Sequence, residues 1–178
     1  FDVFNGDADG ICALVQLRRA HPLPSTLITG VKRDIALLEK LSAEPGDQVT
    51  VLDVSMEKNA SALQRLLDQQ VSVVYVDHHK HGDIPEHPLL EPHIDTDPST
   101  CTALIVDRML GGQYHSWAVT GAFGDNQKQV ATQLCKAAGY SVEQAELLET
   151  LGICLNYNGY GGCLSDLFYH PAELYSAV

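Results

Sequence analysis

The apolar run Val71-Ser72-Val73-Val74-Tyr75-Val76 passes without a spacer into Asp77-His78-His79, and this junction limits the fold more than any other stretch. β-Branched and aromatic residues make the run a buried strand. A carboxylate and two imidazoles at the carboxyl edge of a buried strand are costly to place there unless something binds them. The pattern recurs. Residues 1–4 form a short apolar strand followed by Asn5-Gly6-Asp7-Ala8-Asp9-Gly10, residues 49–52 run into Asp53, and the small apolar stretch 117–123 delivers Gly124-Asp125-Asn126.

Helical segments separate these strands. Ile11, Ala13, Leu14, Leu17 and Ala20 give residues 11–20 an apolar face that stops at His21-Pro22-Leu23-Pro24. A strand is expected over 25–29, a helix over 35–41 closed by Pro45-Gly46, and an amphipathic helix over 60–67. This alternation predicts an α/β fold: a doubly wound, mostly parallel sheet with helices on both faces, whose ligands bind beyond the carboxyl ends of its strands. A helical C-terminal segment is expected to follow, with helices over 101–110, 128–138 and 142–155. Residues 80–98, rich in His, Pro and acidic side chains, read as a long surface loop. Residues 1–155 are expected to form one domain. The stretch 156–178, opening on Asn156-Tyr157-Asn158-Gly159, reads as a linker.

Charge narrows the function. Lys and Arg number 11 against 23 Asp and Glu, a formal net charge of −12, which excludes a broad basic face for nucleic acid but suits a site that concentrates divalent cations. Five cysteines without CxxC spacing support neither a zinc ribbon nor a disulfide framework. No run reaches membrane-spanning length, so a cytoplasmic location and no membrane partner are expected.

Four acidic stations in one cleft would repel unless cations neutralised them, and Asp oxygens with an imidazole suit Mn²⁺ or a mixed pair of ions. Taken singly the stations have other readings. Asp7-x-Asp9-Gly10 also occurs in haloacid-dehalogenase-like phosphatases, and Asn5-x-Asp7-x-Asp9-Gly10 resembles half a calcium loop, which would want Glu where Gln16 stands.

As an ordered set, Asp7-Ala8-Asp9-Gly10, Asp53 in Val51-Leu52-Asp53-Val54-Ser55, Asp77-His78-His79, and Asp125 in Gly121-Ala122-Phe123-Gly124-Asp125 resemble the four motifs of the DHH phosphoesterase superfamily, in its exonuclease and oligoribonuclease-like branch. The resemblance implies two Mn²⁺ ions, with Mg²⁺ as an alternative. Asp7 and Asp53 would hold one, while Asp9, Asp53, His78 and Asp125 hold the other. Asp77 would orient His78, and His79 would face the substrate phosphate. The implied reaction is hydrolysis of phosphodiester bonds in short single-stranded nucleic acid or small nucleotides by metal-bound hydroxide. Pyrophosphatase or exopolyphosphatase activity is the alternative enzyme reading, and a non-catalytic metal- or nucleotide-binding module the alternative from another class. A homo-oligomer is compatible with all three. The resemblance further implies that residues 1–155 are the catalytic domain and that 156–178 leads towards a C-terminal substrate-binding domain.

Other residues carry two readings. Lys32-Arg33, after the second strand, can reach a substrate phosphate or stand solvated, and Ser99-Thr100 can bind an anion or cap a helix. Asn5, where the exonuclease-like branch carries a carboxylate, is either a weak ligand or a turn residue. His81, His87 and His93 read as loop residues, and Trp117 as core.

Overall fold

Alternation of buried residues along the central strands gives the sheet two covered faces. In the computed structural model, which describes residues 1–178, the strands β1 (Asp2–Phe4), β2 (Leu27–Thr29), β3 (Gln48–Leu52), β4 (Ser72–Asp77) and β5 (Leu90–Ile94) form one sheet in the order β2-β1-β3-β4-β5. Every pairing is parallel. Val51 and Tyr75 pack with Leu38, Met56, Leu63 and Leu67 on one face. Leu52 and Val76, their chain neighbours, pack with Ile11, Leu14, Ile105 and Val106 on the other.

The helices are α1 (Ala8–Ala20), α2 (Ala60–Asp68), α3 (Thr102–Met109), α4 (His115–Gly124), α5 (Lys128–Ala137), α6 (Val142–Asn158) and α7 (Pro171–Ala177). The doubly wound α/β architecture with a helical C-terminal part is therefore as expected. Its strand order reverses between β1 and β3, and a crevice opens at the carboxyl ends of strands on either side of such a reversal. Asn5 to Asp9 follow β1 and Asp53 follows β3, so this crevice receives the acidic stations. Close backbone approach there uses glycine: a Cβ on Gly10 would lie 2.2 Å from the Asn5 carbonyl oxygen, and one on Gly124 2.2 Å from Ala8 Cβ.

Two expectations need correction. The helix expected over 35–41 is a single 3-10 turn, Leu37–Lys40. Buried Asn59 holds this segment by accepting from the Leu38 N–H at 3.2 Å and donating to the Ile35 carbonyl at 2.7 Å, which fixes a short crossover rather than a longer helix. The loop expected over 80–98 contains β5, an edge strand in which Glu91 and Pro92 are exposed. Proline is tolerated on an edge, and half-exposed pairing leaves no clear apolar alternation to read. The stretch 156–178 carries the end of α6, a 3-10 turn Leu164–Asp166, and α7. Leu174 and Tyr175 of α7 pack against the α1 face of the sheet. No helix is long and apolar enough to cross a membrane.

Candidate metal centre

Asp7 caps α1 from the end of β1. Its Oδ1 accepts the N–H groups of Asp9 and Gly10 at 3.0 and 3.2 Å, satisfying donors that every helix start leaves open. Asp9, one step into α1, reaches across to the start of α3: its Oδ2 and Oδ1 accept the Thr102 and Ala103 N–H groups at 2.8 and 2.7 Å. A carboxylate at a helix N-terminus is stabilised by the helix dipole. Asp9 is thus held rigidly although it is buried.

Asp53 leaves β3 with φ of 58°, a left-handed backbone that a non-glycine residue adopts at a cost. The twist turns its carboxylate into the crevice, where Oδ1 accepts from the Thr102 hydroxyl at 3.3 Å. Asp125 caps the carboxyl end of α4. His78 is the point on which these groups converge. Its Nε2 lies 3.7 Å from Asp9 Oδ2, 3.4 Å from Asp53 Oδ1 and 3.8 Å from Asp125 Oδ2.

Such crowding has an electrostatic signature. Burial, with the charges of Asp9, Asp7, Asp77 and Asp125 added, pushes the Asp53 carboxyl well above the ordinary carboxylate range. Burial and Asp9 likewise raise Asp125 to about 6, although His78 and Lys32 pull it back. These carboxylates cannot all be ionised cheaply in a metal-free cleft. A divalent cation removes the conflict, and Asp9, His78 and Asp125 on one side, with Asp53, His78 and His79 on the other, present donor atoms within 4.8 Å of one another.

The DHH family N-terminal domain matches residues 3–138. The chain belongs to the DHH family. Among solved structures, exonuclease RecJ bound to manganese is similar to this DHH domain with a TM-score of 0.55 and 20% identity, over 89% of this chain and 52% of that one. RecJ in complex with Mn²⁺ from Thermus thermophilus matches at 17% identity and a TM-score of 0.46, over 88% of this chain and 34% of that one. At these identities the likeness is one of fold. The chain spans about half the length of the first RecJ protein, and no curated protein matches it.

Within the DHH domain, Asn5, Asp7, Asp53, Asp125, Lys32 and His79 line one cleft of about 180 Å³, and His78, close to Asp53 and Asp125 of that lining, also meets Asp9. Asp77 is placed differently from the expectation. Its Oδ1 lies 2.8 Å from Nδ1 of His79, not against His78. This hydrogen bond raises the His79 pKa against the opposing effect of burial, so His79 is held towards its protonated form with Nε2 left free.

The residues considered for phosphate contact divide. Lys32 lines the cleft, whereas Arg33 lies in a separate depression with Lys40 and Cys163. Ser99 donates its hydroxyl to Asp97 at 2.5 Å, and the Thr100 hydroxyl accepts from Arg108 at 3.0 Å, so neither turns to the cleft. The anion-binding start of the neighbouring helix is instead filled by Asp9. His81, His87 and His93 join no metal-ligating group, and Trp117 packs against the core. Sequence reasoning missed Thr102, whose backbone and hydroxyl position Asp9 and Asp53, and Asn156, whose Oδ1 accepts from Lys32 Nζ at 2.9 Å. Neither has a local signal, because each partner is distant in the chain.

Proposed function

We propose that this DHH domain is the catalytic part of a divalent-metal-dependent phosphoesterase that hydrolyses phosphodiester bonds of short single-stranded nucleic acid or small nucleotides, with Mn²⁺ as its working ion. The observation that carries this reading is the convergence of Asp9, Asp53 and Asp125 oxygens within 3.4 to 3.8 Å of one imidazole nitrogen, His78 Nε2. Hard oxygen donors with one imidazole fit Mn²⁺, so Asp9, Asp53, His78 and Asp125 would hold it. When bound, such an ion polarises a phosphoryl oxygen and lowers the pKa of water beside it.

The remaining steps fall to the chain's own side chains. Protonated His79, oriented through Nδ1 by Asp77, presents Nε2 as a proton donor to the phosphoryl or leaving oxygen. Thr102 steadies Asp53, and the α3 backbone steadies Asp9. Lys32 is the sole Lys or Arg side chain lining the cleft. One cation favours a singly charged diester over pyrophosphate or polyphosphate, whose added charge calls for more Lys and Arg. The length of the RecJ relative supports a larger protein in which a further domain grips the substrate, with 156–178 leading towards it.

Purified protein with Mn²⁺ should be assayed against a short oligonucleotide, a cyclic dinucleotide and pyrophosphate. Hydrolysis of a diester with none of pyrophosphate is expected. Pyrophosphate turnover alone moves the assignment to the anhydride class, and metal binding without any turnover leaves a binding module.

A further inference from the structure

The side of the cleft formed by Asn5 and Asp7 is built differently from the His78 side. Both oxygens of Asp7 are committed: Oδ1 to the Asp9 and Gly10 N–H groups, and Oδ2 to an ion pair with Lys32 Nζ. The ammonium is held from further directions by Asn156 Oδ1 at 2.9 Å and by the Tyr160 ring, whose centroid is 6.0 Å away. Its backbone is fixed as well, since the Lys32 N–H donates to the Gly159 carbonyl at 2.9 Å and Asn5 Nδ2 donates to the Lys32 carbonyl at 3.3 Å. Between Asn5 and Asp7, the oxygen left without a partner is Asn5 Oδ1, which is neutral and buried.

Neither group of converging donors includes Asp7. A second divalent ion there would have to displace an ammonium already paired with Asp7 and, apart from the Asp53 carboxylate that the first ion already uses, would gain one neutral oxygen in exchange. Hard ions favour anionic oxygen, so the exchange is unfavourable. We infer, building on the metal-dependent reading above, that this chain holds one divalent ion tightly, at Asp9, Asp53, His78 and Asp125, and that the Lys32 ammonium replaces the second cation implied by the family resemblance. Lys32 then supplies a permanent positive charge beside Asp53 and His79 that no chelator removes. Asn156 and Tyr160 are its positioning residues.

The test counts ions. Full-length chain stripped of metal is titrated with Mn²⁺ by calorimetry, and the loaded protein is examined by electron paramagnetic resonance. The wild type should bind one ion per chain and give the spectrum of an isolated Mn²⁺. Lys32→Met, similar in length and uncharged, should open the Asp7 side: a second ion binds at least about tenfold more tightly than in the wild type, and the spectrum shows two coupled ions. Lys32→Arg, which keeps the charge, should remain at one. Two ions of similar affinity in the wild type, with a coupled spectrum, overturn the inference and leave the phosphoesterase reading standing. A folded Lys32→Met that still takes one ion also overturns it. No ion in the wild type removes both readings together. If Lys32→Met does not fold, the wild-type count and spectrum decide the matter alone.

Discussion

The two sides of the cleft solve the same problem in different ways. Around His78, carboxylates from three separate elements face one another with no Lys or Arg paired to them, and burial together with this crowding raises the Asp53 and Asp125 carboxyls. Around Asp7, the protein supplies its own cation, Lys32, paired with Oδ2, while Oδ1 caps α1. Two aspartates separated by one residue thus have different roles. A buried carboxylate left uncompensated is an invitation to a cation, whereas a compensated one is part of the frame.

The largest effect is expected where the two sides meet. Asp53 is within reach of His78 and His79, and Asp53→Asn should lower turnover about 10³-fold, ~4 kcal/mol in barrier. Retention of more than a tenth of the activity, measured at saturating Mn²⁺, contradicts its central place. A paired measurement then separates the sides. Asp9→Asn should weaken the tight Mn²⁺ site at least about tenfold, and Asp7→Asn should leave it nearly unchanged. Equal losses, measured by calorimetry, would erase the distinction.

A smaller effect concerns stability without metal. Asp125 has a folded pKa of about 6, above its ordinary value of 3.8, so between these values the folded state binds more protons than the unfolded state and stability falls as pH rises. The metal-free protein should therefore melt a few degrees higher near pH 5 than near pH 7.5. Saturating Mn²⁺ should reverse that order, because binding needs the ionised carboxylates. A metal-free melting temperature that rises over this range counts against the crowding. The smallest effect is expected at Asn5. Asn5→Asp adds one charge to the Lys32 side and should tighten any weak second Mn²⁺ site by less than about tenfold, leaving the tight site alone. An unchanged titration makes Asn5 a turn residue.

Much of this was legible in the sequence because each acidic station ends an apolar segment, and parallel strands bring their carboxyl ends to one edge. That pattern marks Asp7, Asp9, Asp53, Asp77-His78-His79 and Asp125 as stations, the resemblance to the DHH family singled out His78 as the ligand among the three, and the structure gathers the stations in one crevice. Distant partners were not legible. The Lys32–Asn156 contact joins residues 124 apart and the Asp9–Thr102 contact residues 93 apart, and no local pattern marks either end. Asp77 shows a subtler limit. The resemblance paired it with His78, its chain neighbour, whereas its carboxylate meets Nδ1 of His79, two residues on and beyond the end of the strand. Strand β5 was missed because its register is set by pairing with β4 rather than by its own composition.

The left-handed backbone of Asp53 bears on how this protein could be engineered. A positive φ in a non-glycine residue costs roughly 1–3 kcal/mol, and Asp53 is also buried among like charges. Any campaign that screens libraries for heat resistance alone will therefore find glycine or a neutral residue at this position rewarding, and its winners will be hardened scaffolds from which the proposed central ligand has been bred out. Selection for thermal tolerance needs a metal-retention screen beside it to keep position 53 intact.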